Sequence, residues 1–169
     1  MYTAAALAMR YGEDINKAML AGLLHDCAKC IPAEEKIRMC EENHLQISDV
    51  ERANPSLLHA KLGAFLAKTK YKIEDYDILK AIESHTTGRP DMSLLEKIIY
   101  IADYLEPGRT ELPNMADVRS LVFRDIDECL YRILKDSLVY LETKHLPIDI
   151  MTEKTYLYYK ETLKKQEEN

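Results

Sequence analysis

His25 and Asp26 stand side by side at the end of an apolar run, AGLLHD, with Lys29 close behind. Neighbours on a helix point about 100° apart, so they can grip one ion only if the segment lies along the site. Lys29 is one turn further on, over the same area. An imidazole, a carboxylate and an ammonium near one helix end suit a metal ion with a phosphate beside it. Taken alone, such a dipeptide is more often a core histidine beside a surface aspartate. Asp103 lies in IIYIADYL, among apolar side chains and tyrosines. A carboxylate there is costly to desolvate unless it meets a cation, a donor or a metal. His59 sits in SLLHAKLGAFL, where a hydrogen-bonded core histidine is the ordinary reading. His85 opens HTTGRP, and two hydroxyls, a glycine and Arg89 after a histidine make a loop able to hold phosphate.

No one of these residues decides the matter; their combination does. His25, Asp26, His59, His85 and Asp103 are nitrogen and oxygen ligands spread over four expected helices. Imidazole with carboxylate suits iron, manganese or zinc better than calcium, and ligands facing one bundle interior are a known way to build a metal site. His44 and His145 lie in polar surroundings and need no special role. Cys27 and Cys30 form a CxxC without the second pair that a zinc ribbon needs, so packing is their expected use. Tyr156, Tyr158 and Tyr159 read as core or dimer packing.

The elements that must position these residues read as helices throughout. Residues 2–11 carry one apolar face and stop at Gly12, suited to a left-handed cap. Residues 14–29 follow, then a helix opened by Pro32. Asn54-Pro55 reads as cap and first turn of the segment holding His59. Residues 75–85 keep the helical period and break at TTGRP. Ser93-Leu94-Leu95-Glu96 is a capping box opening the helix that holds Asp103. A long helix is expected over 125–144 and a last one over TEKTYLYYKETLKK. Nothing alternates with the period of a strand, so the expectation is all-α. The 169 residues fit one domain.

Hydrophobic residues make up 47% and charged ones 31%, a composition that folds rather than one that stays disordered. The net charge is −6, with basic residues interleaved among acids. Nucleic-acid binding needs a basic stripe, and none is visible. An acidic balance still admits a phosphate substrate, because a bound metal reverses the local field. No apolar run approaches the roughly 20 residues that cross a bilayer. With four cysteines (Cys27, Cys30, Cys40, Cys129) and no recognisable signal peptide, a reducing cytoplasm is expected.

The order His25-Asp26, His59, His85, Asp103 resembles the HD-domain phosphohydrolase superfamily. The stretches HDCAK, LLHAKLGAFLA and SHTTGRPDMSLLEKIIYIADYLEPGR are similar to the YqeK family of bacterial HD proteins, over nearly the whole chain. That resemblance implies an HD-domain helical bundle over residues 1–169, and an iron-dependent hydrolase of diadenosine tetraphosphate that yields two ADP. It implies His25, Asp26 and Asp103 as core metal ligands, with Asp26 bridging two ions. His59 and His85 complete a second ion's shell or meet the phosphates. Lys29, Thr86, Arg89 and Arg109 hold phosphate oxygens, Asp26, Lys29 and Arg89 being the catalytic set. The resemblance also implies that the segment 146–151 borders the nucleoside and that the protein is a homodimer. The family also carries a histidine ligand in an HSLGV-like element just before the stretch that matches Met1-Tyr2-Thr3. This sequence lacks it, and its first helical pattern opens uncapped. The expectation is therefore a first helix that starts further upstream; otherwise one iron is loosely held and activity weak. The rival readings are another nucleotide phosphohydrolase (a nucleotidase or a guanosine-alarmone hydrolase) and a nucleotide-binding protein with weak or no turnover.

Overall fold

Short polar side chains open three of the four helices that build the site. Asp14 accepts from the amides of Asn16 and Lys17, and Asp75 from those of Asp77 and Ile78. Ser93 and Glu96 form the reciprocal capping box read in the sequence. Gly12, at φ 75°, closes the first helix in the left-handed region. The computed structural model describes residues 1–109 and 114–168. It contains α1 (Tyr2–Tyr11), α2 (Ile15–Leu24), α3 (Ala33–Glu42) and α4 (Asp49–Ala53). A 3₁₀ turn, Pro55–Leu57, runs into α5 (Leu58–Thr69); α6 (Tyr76–Ser84), α7 (Leu94–Tyr104), α8 (Met115–Leu121), α9 (Ile126–Thr143) and α10 (Ile150–Glu167) follow. The described residues contain no strand, and none of their helices is long and apolar enough to cross a membrane.

Helix α7 is the spine. It packs against α1, α2, α6 and α9, and Leu95, Ile98, Ile99, Tyr100 and Ile101 are buried on it. Leu7, Ile82, Leu130, Ile133 and Leu134 join them in the main core. Each such side chain contributes about 1.5–3 kcal/mol relative to exposure. A second cluster, Ala28, Cys40, Leu58 and Leu62, fastens α3 to α5 behind the HD turn. α9 and α10 pair outside the spine, where the rings of Tyr131 and Tyr156 stack at 5.5 Å.

Three expectations are corrected. α2 ends at Leu24 rather than near Lys29. Beyond His25 the amides of Cys27, Lys29 and Ile31 each bond the carbonyl three residues back, so the chain winds into successive tight turns. α5 crosses here: a Cβ on Gly63 would lie 3.3 Å from the His25 carbonyl oxygen, so glycine permits the close approach. Asn54 does not cap the backbone; its side-chain oxygen accepts from the Ser56 hydroxyl. α4 and α8 were not expected, although Ser48 and Glu51 form a second capping box.

Candidate metal centre

Four helices deliver the expected ligands. His25 is the C-cap of α2, and Asp26 follows it in the first tight turn. His59 lies in the first turn of α5, His85 caps α6, and Asp103 is in the last turn of α7. Each imidazole is tethered in the same way. Nδ1 of His25 donates to the Gly22 carbonyl at 3.0 Å, that of His59 to Ser56 at 2.5 Å, and that of His85 to Ile82 at 2.7 Å. A carbonyl only accepts, so each Nδ1 carries a proton and Nε2 is the ring atom turned inward, where its lone pair can take a metal.

Those lone pairs converge. Nε2 of His59 and Nε2 of His85 lie 3.0 Å apart, with Asp26 Oδ1 at 3.3 and 3.6 Å from them. Nε2 of His25 is 3.5 Å from Asp26 Oδ2 and 3.5 Å from Asp103 Oδ1. Ligand atoms of His25, Asp26 and His85 all fall within 4.8 Å of one another. Asp26 Oδ1 is buried and has no hydrogen-bond partner. Inward lone pairs around an orphaned carboxylate oxygen repel unless a cation lies between them, and the donor set fits a divalent metal.

Charge follows from these contacts. Burial alone would raise the Asp26 carboxyl, but His59, His85 and Lys29 outweigh it and hold it far below the usual carboxylate range. Asp103 is likewise lowered: burial opposes, while the His25 imidazole 3.5 Å away and the charge of Arg109 prevail. His25 is raised, burial being outweighed by Asp103 and Asp26.

The remaining expected residues ring this centre. Lys29 Nζ is 2.6 Å from Asp26 Oδ2, and Arg109 Nη2 is 3.9 Å from Asp103 Oδ1. Thr86 Oγ1 lies 3.4 Å from His85 Nε2. Lys29, His59, His85, Thr86, Asp103 and Arg109 line one cavity of about 170 Å³; His25, Asp26 and Asp103 line another of about 200 Å³. Arg89 stands apart. Its fork closes on Glu96, Nε to Oε1 at 2.7 Å and Nη2 to Oε2 at 2.6 Å. It lines a groove of about 630 Å³ together with Thr86, Asp149, Ile150 and Met151. Glu96 was read only as a capping residue, because a partner across a loop leaves no periodic signal in the sequence. Tyr100, which borders the smaller cavity, was also missed.

The HD domain model matches residues 1–108. The chain belongs to the HD domain family. With its His/Asp cluster, the HD domain implies a divalent metal. This HD-domain chain is 41% identical over 156 residues to the symmetrical bis(5′-nucleosyl)-tetraphosphatase of Bacillus subtilis (strain 168), covering 92% of this chain and 83% of that one. It is 42% identical to the protein of the same name from Halalkalibacterium halodurans, covering 92% and 82%. A crystal structure of a predicted HD superfamily hydrolase involved in NAD metabolism, from Clostridium acetobutylicum, superposes with a TM-score of 0.91 at 42% identity, covering 95% and 84%.

Proposed function

We propose that this chain is a metal-dependent phosphohydrolase that cleaves diadenosine tetraphosphate symmetrically into two ADP, the activity for which its similar bacterial relatives are named. The observation that carries the reading is the convergence of three inward Nε2 atoms on the Asp26 carboxylate, whose Oδ1 has no hydrogen-bond partner, beside a cavity with Lys29 and Arg109 on its wall. His25, Asp26 and Asp103 would hold the metal, and His59 and His85 would complete the set or meet the phosphates. Iron is the metal proposed; manganese and zinc suit the same donors. Such ions lower the pKa of a bound water and polarise a phosphoryl oxygen.

The chain's own groups bind and orient the substrate. Lys29 and Arg109 offset the charge of the phosphate chain, and the Thr86 hydroxyl donates to an oxygen. Arg89 has five N–H groups and spends three on Glu96 and Pro90, leaving two for a phosphate at the groove. The segment 146–151 borders the nucleoside, and a nucleoside diphosphate product fits the same wall. The protein acts as a homodimer in the cytoplasm, where its four cysteines, all free, stay reduced.

Chromatography of the products tests the reading. ADP as the sole product of diadenosine tetraphosphate supports it. AMP with ATP would replace it with an asymmetric hydrolase, and binding without turnover with a nucleotide-binding protein.

A further inference from the structure

Glu96 is a carboxylate with 1% of its surface exposed, and both of its oxygens are fully engaged. Oε1 accepts from the Ser84 hydroxyl at 3.0 Å and from Arg89 Nε at 2.7 Å. Oε2 accepts from Arg89 Nη2 at 2.6 Å and from the Ser93 amide at 2.7 Å. Four donors thus face the four lone-pair directions of a carboxylate, the Ser84 hydroxyl sharing its one proton with the Lys80 carbonyl at 2.8 Å. Its place on α7 gives this clasp a meaning beyond capping. Asp103 is seven residues further along, and seven residues turn a helix to within about 20° of the starting direction. One stripe of α7 therefore carries two carboxylates. Asp103 faces His25 across the metal centre, and Glu96 grips the segment 84–89 on which His85 and Thr86 stand. Arg89 lines the groove that Thr86 also borders, with its fork held by Glu96.

We propose that Glu96 is a positioning residue for the substrate's phosphate chain: through Ser84 and Arg89 it sets Thr86 and Arg89 at the groove before any phosphate arrives. The proposal deepens the hydrolase reading and rests on it. Its alternative is a clasp that merely keeps the loop folded.

Glu96→Gln separates the two. Glutamine has the same reach but turns a donor toward donors. The full chain, loaded with manganese, is assayed for KM and kcat on diadenosine tetraphosphate, for ADP affinity by calorimetry and for thermal unfolding. KM and the ADP dissociation constant should both rise about tenfold, a usual cost of losing an orienting partner, with kcat little changed. Arg89→Ala should weaken ADP binding in the wild type but add less than about twofold on top of Glu96→Gln, since the two side chains act as one unit. A folded Glu96→Gln protein with wild-type KM and ADP affinity would overturn the proposal, as would independent, multiplying effects of the two substitutions. If Glu96→Gln does not fold, Ser84→Ala removes one of the four bonds. A raised KM there supports positioning, and an unchanged KM overturns it. Wild-type protein that binds ADP yet leaves diadenosine tetraphosphate intact would sink the hydrolase reading alone, because the ADP affinities still judge Glu96.

Discussion

Asp26 is the side chain with no substitute. Its Oδ1 faces two imidazoles, and its Oδ2 faces a third together with Lys29. Asp26→Ala should remove both the bound metal and turnover, and elemental analysis of the purified variant checks this. Full metal content would move the centre elsewhere. Arg89 belongs to a different account. Arg89→Ala leaves Glu96 buried without its principal partner, and an unpaired buried group of this kind costs about 1–3 kcal/mol or more. The variant should melt at lower temperature, as calorimetry would show; a pure phosphate ligand would leave stability untouched. Acid reads the same pair. Burial would raise the Glu96 carboxyl, but Arg89 and the Ser93 amide outweigh it and lower it from its ordinary 4.5. Its contribution to stability is therefore complete above pH 4.5 and is lost as pH falls through its lower folded value. The melting temperature of the wild type should fall more steeply below pH 4.5 than that of Glu96→Gln, in parallel scans.

At the scale of elements, the HD turn depends on the crossing of α5. Gly63→Ala would press a methyl against the His25 carbonyl oxygen, 3.3 Å away, with the Cys27 thiol 3.7 Å away. Overpacking of this kind costs about 1–3 kcal/mol, and here the strain falls on the turn that carries two ligands. Metal affinity should drop while the helical content seen by circular dichroism stays. Much at this scale was legible in the sequence. Gly12, Asp75 and Ser93 with Glu96 mark their boundaries by local chemistry that does not wait for tertiary contacts. The end of α2 was not legible, because AMLAGLLHDCAK keeps helical composition through the turn and a separate helix sets the stop. α8 has no side-chain cap, and α4 is only five residues long, so neither announces itself by period. The side chains that converge were legible as types, since polar groups inside apolar runs need partners. The clasp of Arg89 by Glu96 was not, because a loop sets that distance.

For the whole molecule, a bound metal would join the end of α2 to α5, α6 and α7 and so tie residues 25 to 103 at one point. Metal present at 100 times its dissociation constant adds about 2.7 kcal/mol, which for a chain of this size is roughly 5–10 °C of melting temperature. Chelation should reverse that rise, and re-addition of manganese should restore it. The net charge of −6 makes the basic rim of Lys29 and Arg109 a local exception, so raised salt should weaken nucleotide binding more than it weakens the fold. The imidazole tethers carry one more consequence. In many metal sites the outer partner of a histidine is a carboxylate, which a single substitution can delete. Here all three acceptors are main-chain carbonyls of Gly22, Ser56 and Ile82. Any amino acid supplies that oxygen, so the tautomer of the rings is written into the winding of the backbone rather than into the identity of a partner side chain.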